Sequence, residues 1–332
     1  MLKYTLKRLI MMIPALIGIT MVSFMVMHLA PGEPTDLVTD LNPQANQAAK
    51  RRLREIYGLD KPIAVQYLNW LKSLATLDLG RSMSPDRRPV RDKIAERLPV
   101  TLALNVLSMG LIIMISLPLG LWAAVRAGGL FDRASTVLVF IFFAAPSFWL
   151  ALLGMWFFGV RLGWLPTSGL TSLDYGRMDA LGKAADLARH LAMPVIISSL
   201  GGLAGLSRYL RSNMLEIIRQ DFLTTARAKG LPERVVIWKH ALRNALIPVI
   251  TILGLSVPGL VGGSVIMESI YAIPGLGQLF YVAVMGRDYP LVMGGLVIGA
   301  VLTLLGNLLA DLCYALADPR VRDQAFQAPL AR

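Results

Sequence analysis

Few residues in this chain have the types and spacing for covalent chemistry. The three histidines, His28, His190 and His240, lie far apart in sequence and form neither an HxxxH nor an HExxH pattern, so helical metal ligation has no foothold. The single cysteine, Cys313, excludes an intrachain disulfide and a cysteine metal cluster. No GxxxxGK[ST] loop is there to hold phosphates, and no nucleophile is paired by spacing with a base. What stands out is a basic stretch, "RQDFLTTARAKGLPERVVIWKHALRNALIP" from Arg219 to Pro248, set between two long apolar runs. Its residues are suited to docking rather than to bond making.

The surroundings of that stretch are those of a membrane chain. Hydrophobic residues make up 55% and charged residues 16%, with a mean hydropathy of +0.59, against about 25% charged in soluble domains. Windows of about 20 residues, enough to cross a hydrocarbon core of ~30 Å as helix, give six candidate spans: Leu9–Leu29, Thr101–Val125, Ala134–Val160, Leu191–Leu210, Leu246–Ile270 and Pro290–Leu316. The expected fold class is therefore all-α, a polytopic membrane protein with six transmembrane helices. The first span follows Lys3, Lys7 and Arg8, but its apolar run exceeds the ~7 to 15 residues of a signal peptide, so an uncleaved first helix is expected. A formal charge of +12 would suggest nucleic acid in a soluble protein, yet no nucleic-acid motif accompanies it. Anionic membrane lipid and the positive-inside bias are the simpler account.

Loop charge sets the expected orientation. The connection from Ser207 to Ala245 carries Arg208, Arg211, Arg219, Arg227, Lys229, Arg234, Lys239 and Arg243 against Glu216, Asp221 and Glu233, which assigns it to the cytoplasm. An even number of spans then places both termini there as well. Residues 30–98 become external despite Arg87, Arg88, Arg91, Lys93 and Arg97, because long segments translocate largely regardless of charge. Apolar spacing at Leu53, Ile56 and Tyr57, then at Val65, Leu68, Leu71 and Leu74, predicts a small helical external subdomain. The expected divisions are 1–29 for the first span, 30–98 for this subdomain, 99–316 for the remaining spans and 317–332 for a cytoplasmic tail; the basic loop occupies 211–245. GxxxG spacings at Gly201 and Gly205, Gly259 and Gly263, and Gly295 and Gly299 would allow close helix approach, within one bundle or at a dimer seam.

Within the basic stretch, Asp221 has the chemistry of an N-cap, and Arg227 and Lys229 fall where the helix dipole is negative. Gly230 suits the left-handed position after a helix, and Pro232 suits the first turn of the next. Val235, Trp238, Leu242 and Ala245 recur at helical spacing and would lie along the membrane interface. The first helix, "TTARAKG", is too short and small-sided to anchor itself in lipid and suits a groove on another protein.

Thr224, Thr225, Ala226, Arg227, Ala228, Lys229 and Gly230, followed by Ile247 and Pro248, resemble the "EAA" loop of ATP-binding cassette importer permeases. Two departures are plain: threonines stand at the Glu-Ala positions, and the distance from glycine to proline is longer. "GLDKPIAVQY", "LDLGRS", "ESIYAIPGLGQLF", "RDYPLV" and "ADPRVR" extend the resemblance nearly end to end, to the dipeptide/oligopeptide/nickel branch. The resemblance implies the type I importer permease fold and a subunit of a bacterial inner membrane with no cofactor of its own. ATP and Mg would sit on two separate ATPase subunits. A second homologous permease would complete the pore, and an external binding protein would deliver the solute to residues 30–98. The coupling residues carried over are Asp221, Phe222, Thr224, Thr225, Ala226, Arg227, Ala228, Lys229 and Gly230. The rival class is a secondary transporter, which needs ionisable groups at mid-membrane.

Polar residues inside the spans remain open between lining a passage and ordinary interhelical bonding. They are Asn105, Ser108, Ser147, Thr251, Ser256 and Ser264. Asn307 and Asp311 share a face of the sixth span, and Asp311, like Glu268, is either functional or a charge able to reach the interface. Dipeptides, longer peptides, nickel chelates and glutathione-like solutes all remain open as cargo.

Overall fold

The computed structural model describes residues 2–29, 51, 54–55 and 59–317, with backbone alone for 2–4, 7 and 311–317. The expectations at Leu53, Ile56 and Tyr57, for the Asp311 side chain and for the tail beyond 317 lie outside the described residues. Among those described, every named element is helical, and the one bridge is isolated, Arg81 to Pro89. In chain order they are α1 (Leu2–Leu29), α2 (Ile63–Ala75), α3 (Val90–Val125), α4 (Leu130–Ala144) and α5 (Ser147–Gly154), the last running on as a π turn, Met155–Arg161. Then follow α6 (Ala180–Ile218), α7 (Asp221–Ala228), α8 (Glu233–Val261), α9 (Val265–Ile270), α10 (Leu276–Met285) and α11 (Tyr289–Ala317).

Five of these helices are long and apolar enough to cross a membrane, and six spans result if the bent pair α4 and α5 counts as one. The bend is 97°, and it falls within the expected third span, Ala134–Val160. Its cause is Pro146, which offers no N–H and pushes the preceding residue out of helical geometry; Ala145 sits at φ −76° and ψ 132°. The spans also reach further than 20-residue windows suggest. Helix α6 has 39 residues and α3 has 36, so at 1.5 Å per residue each is about twice as long as a ~30 Å hydrocarbon core is thick. The expected loop from Ser207 to Ala245 consequently shrinks, its first part absorbed into α6 and its last into α8.

The chain divides into two compact units, formed by the described residues of Met1–Thr101, Val261–Val265 and Gly275–Arg332, and of Leu102–Leu260 and Ile266–Pro274. In the first, Val90, Ile94, Leu276, Ala283, Leu291 and Val292 make the core, and Thr101 Oγ1 accepts a bond from the Leu276 backbone N–H at 2.8 Å. In the second, the core links α3, α6, α7 and α8.

Close approach in the second unit falls at glycines other than the spaced pairs. A Cβ on Gly120 would lie 2.6 Å from the Ser207 carbonyl oxygen, and one on Gly202 would lie 2.5 Å from Ile112 Cδ1. Gly201, Gly205, Gly259 and Gly299 have open space instead, whereas Gly263 meets Gly277 and Gly295 meets Phe280. The Gly120 obstacle is backbone, which cannot rotate away. Gly120→Val is therefore expected to lower stability by about 1–3 kcal/mol, while Gly201→Ala, in a helix interior with open space around it, raises it by up to about 1 kcal/mol; thermal unfolding of the detergent-solubilised chain distinguishes the two.

Candidate functional site

Helix α7 has only eight residues, too few to be stable alone, so its ends and its seat hold it. Gln220 rather than Asp221 is the N-cap, with extended backbone and no side-chain cap bond. Asp221 stands one position later, in the first turn, where its carboxylate still faces the positive end of the dipole. At the other end Gly230 has φ +79°, its N–H donates to Arg227 O at 2.9 Å, and the Leu231 N–H donates to Ala226 O at 3.4 Å. Together these bonds make a Schellman stop, which needs a residue free to adopt the left-handed region. Pro232 caps the next helix from outside its first turn.

Leu223 and Ala226, three apart on one face, are 0 and 8% exposed. They lie in one core with Leu121, Leu210, Met214, Ile217, Val236 and Ala245. Burying a leucine in this way contributes about 1.5–3 kcal/mol. Phe222, Thr224, Thr225, Ala228, Lys229 and Gly230 are exposed, as is Asp221. Arg227 is half-buried, and its guanidinium grips Glu233 through Nε at 3.1 Å and Nη2 at 3.0 Å. The residues carried over from the resemblance thus separate into a seat, formed by Ala226 with Leu223, and a free face. Ala226 turns into its own chain, so a charge there would unseat α7 rather than merely spoil an outer contact.

Of the four positions at the opening of α8 expected to lie along the membrane interface, Ala245 is instead fully buried in the chain's own core. Val236–Ala241 winds as a π helix, and the buried positions are Val236, Ala241, Ala245 and Val249. Trp238 is exposed, and Val235 and Leu242 are half-buried. Two polar ties fix the frame behind it. Asn213 donates to Ala245 O at 2.9 Å, and Arg211 clamps the buried Asp132 with Nε at 2.5 Å and Nη2 at 2.7 Å. Asp132 also accepts from the Gly128 N–H at 2.8 Å, which ties the start of α4 to α6.

Several of the span candidates bond backbone carbonyls of this chain. Asn105 donates to Leu260 O at 2.7 Å, and Ser108 to Leu104 O at 2.8 Å. Thr251 bonds Ile247 O at 3.3 Å and Ser256 bonds Ile252 O at 2.9 Å, each one turn back along its own helix. Ser147 and Asn307 are exposed, and Ser264 is half-buried. Glu268 is fully buried in α9. Just beyond it, the Tyr271 hydroxyl donates to Ala151 O at 3.0 Å and the Tyr271 backbone carbonyl accepts from the Gly169 N–H at 2.8 Å, which gives the "ESIYAIPG" segment its fixed course.

One grouping was missed by spacing alone. Ser172, Asp186 and His190 meet, with Ser172 Oγ 2.5 Å from Asp186 Oδ1 and 3.2 Å from His190 Nε2. These are residue types of a hydrolytic triad, but the order is wrong. Asp186 bonds the serine itself, and His190 Nδ1 faces the Gly169 carbonyl at 2.9 Å rather than a carboxylate, so no relay from serine through histidine to acid exists. Asp186 and His190 are also buried. The group ties residues 169–172 to α6; the i,i+4 spacing of Asp186 and His190 was its only sequence signal.

Comparison with known proteins places this arrangement. The family model described as "Binding-protein-dependent transport system inner membrane component" matches residues 116–323, and its N-terminal companion matches residues 1–105. The chain belongs to this family of transport-system inner membrane components. As one of these permeases it is a multi-pass, non-catalytic subunit of an ATP-binding cassette importer. The oligopeptide transport system permease protein AppB of Bacillus subtilis is 44% identical over 96% of this chain and 98% of its own. The dipeptide transport system permease protein DppB of Alkalihalophilus pseudofirmus is 38% identical over 97% and 100%. Among solved structures, an inward-facing form of the MetNI methionine ABC transporter matches 68% of this chain and 96% of its own at a TM-score of 0.53 and 22% identity, which bears on the fold.

The seat of α7 leads to a contrast between two neighbouring residues. Leu223→Ala is expected to cost about 2–5 kcal/mol locally, read as faster hydrogen exchange across α7. Phe222→Ala, on the exposed face, should stay within about 0.5 kcal/mol and leave exchange unchanged.

Proposed function

We propose that this permease imports short peptides, and that the exposed face of α7 is where the driving ATPases attach. The observation that carries the proposal is the pairing of a free face with a buried seat in one short helix. Asp221, Phe222, Thr224, Thr225, Ala228, Lys229 and Gly230 are left to a partner, while Leu223 and Ala226 bind α7 to the core of α6 and α8. Two ATPase subunits, carrying ATP and Mg, engage two such helices, one on this chain and one on a second homologous permease. Their closure moves α7, and α7 moves the membrane helices to which it is seated.

The peptide cargo is supported by the relatives' names, which speak of oligopeptide and dipeptide transport. Residues 30–98 serve as the external surface on which a binding protein docks. Both termini and the 211–245 segment face the cytoplasm, supported by the basic residues of that segment, and residues 99–316 with the first span form this chain's half of the passage. The scarcity of ionisable residues in the six apolar windows, where Glu268 and Asp311 lie toward the ends of theirs, favours ATP drive over ion coupling.

Ala228→Trp tests the attachment, because Ala228 is exposed and helical and so tolerates a large side chain in the free chain. Co-purification from cells expressing the whole transporter is expected to recover ATPase subunits with the wild type and to lose them with the variant, which remains in the membrane. ATPases retained by the variant, together with normal peptide uptake, would refute this role for α7.

A further inference from the structure

A cavity of about 550 Å³ opens in the first compact unit, between the end of α1, helix α2, the 78–87 loop and the start of α11. That volume is in the range of small-molecule sites, roughly 300–1,000 Å³, and no residue proposed for coupling lies in it. One wall is apolar and aromatic, with Phe24, Met27, Trp70 and Met293. The other is rich in hydrogen-bond donors. Among the described residues, the Arg87 guanidinium, the Asn69 amide, the Ser73 hydroxyl and the Trp70 indole N–H have no hydrogen-bond partner, although all four residues line the cavity. Arg81 adds a second guanidinium, with Nη1 directed at Arg87 O at 3.3 Å. Among the described residues, Asp78 is the one carboxylate in the lining, and it already accepts from the Gly80 N–H at 2.9 Å.

The loop carrying both arginines is held rigidly. Ser82 and Arg88 are joined backbone to backbone at 3.0 Å, as are Val90 and Gly80. Fully buried Ser82 donates to Asp288, and Asp288 in turn caps α11 through the Leu291 N–H at 3.2 Å. Lys93 Nζ reaches Ser82 Oγ at 3.0 Å and Ser84 Oγ at 2.6 Å. It also bonds Asp86 at 2.8 Å and lowers that carboxyl to about 2, so this anchor stays charged at any physiological pH. Arg87 itself is kept at φ +45°, a conformation unfavourable for a side chain of its size that persists only where the surroundings enforce it. On a pinned loop the backbone that delivers the guanidinium is already ordered, so binding has only the side chain left to order.

We propose that this cavity binds a short peptide by its terminal carboxylate, with Arg87 and Arg81 gripping the anion and Trp70, Phe24 and Met27 covering the apolar side chains. The surplus of donors over acceptors selects for an oxyanion, and a planar guanidinium suits a carboxylate bidentately. The aromatic wall selects for an apolar body attached to that anion. Asp78 stands at the same rim for a cationic group. The identification rests on the peptide cargo and external placement inferred above, and it adds a site on the permease itself, separate from the binding protein.

The test uses the intact transporter in phosphatidylcholine nanodiscs without binding protein, titrated with radiolabelled tri-leucine. Saturable binding is expected, weakened by at least about tenfold when the peptide is C-terminally amidated or when Arg87 is replaced in Arg87→Gln, the loss of a charge-assisted bond. Trp70→Ala should weaken binding of tri-leucine more than of tri-glycine, and the melting temperature of Arg87→Gln should match wild type because that side chain is exposed and bonds none of the described residues. Equal binding of acid and amide, intact binding by Arg87→Gln, or no saturable binding would overturn the site. So would displacement of tri-leucine by glycerol phosphate or by phosphatidylglycerol included in the disc, which would assign the arginines to a lipid headgroup. ATP-driven tri-leucine uptake by the complete system, measured in parallel, separates the two inferences. Uptake without binding at this cavity removes the site alone, and absence of any peptide uptake removes the cargo assignment.

Discussion

The structure depends on how an eight-residue helix is held against helices several times its length. Alone, α7 could not pay the entropy of its own nucleation. Leu223 and Ala226 supply what it lacks by entering the core that Leu210, Met214 and Ile217 of α6 share with Val236, Ala245 and Val249 of α8. A helix stabilised only by that core cannot shift without disturbing it, since close-packed interiors transmit displacement rather than absorb it. The same residues that let α7 exist make it a reporter of where α6 and α8 are.

The frame behind the seat is stiffened where a membrane helix would otherwise slide. Arg211 and Asp132 form a bidentate, largely buried pair, which is costly to break because one charge would be left unpaired in a low-dielectric setting. Gly120 brings α3 against the α6 backbone at Ser207, and Asn213 links α6 to the carbonyl of Ala245. By contrast the Arg227 and Glu233 pair is exposed and contributes little energy. Its use is geometric, holding the end of α7 to the beginning of α8 across the Gly230 turn.

Much of this was legible in the sequence, and the parts that were not have definite physical reasons. Apolar windows located the spans because lipid imposes one length scale, and Gly230 disclosed the end of α7 because a left-handed residue leaves a chemical trace. The bend at Pro146 was not apparent because proline in a membrane helix is compatible with a kink, a break or neither. Ala245 was grouped with the interface stripe of α8 because apolar spacing does not distinguish a residue that faces lipid from one that faces its own core. Ala226 was grouped with its exposed neighbours because a linear motif does not distinguish residues that touch a partner from those that touch their own core. The meeting of Ser172 with Asp186 and His190, and of Arg211 with Asp132, joins residues from 14 to 79 positions apart, which no local pattern encodes.

The central claim, that α7 moves with α6 as one body, is tested most directly by a spin-label distance. Labels at Leu231→Cys, whose N–H closes the end of α7 and which is not among the residues left to the ATPases, and at Ser212→Cys on α6, both exposed positions, would be placed in a chain carrying Cys313→Ser and assembled with its partners. The account predicts the same mean distance and the same width in the nucleotide-free and ATP-bound transporter. A distribution that shifts or broadens on ATP binding would show α7 turning on its own hinge, and the seat of Leu223 and Ala226 would then not be the path by which force reaches the membrane helices.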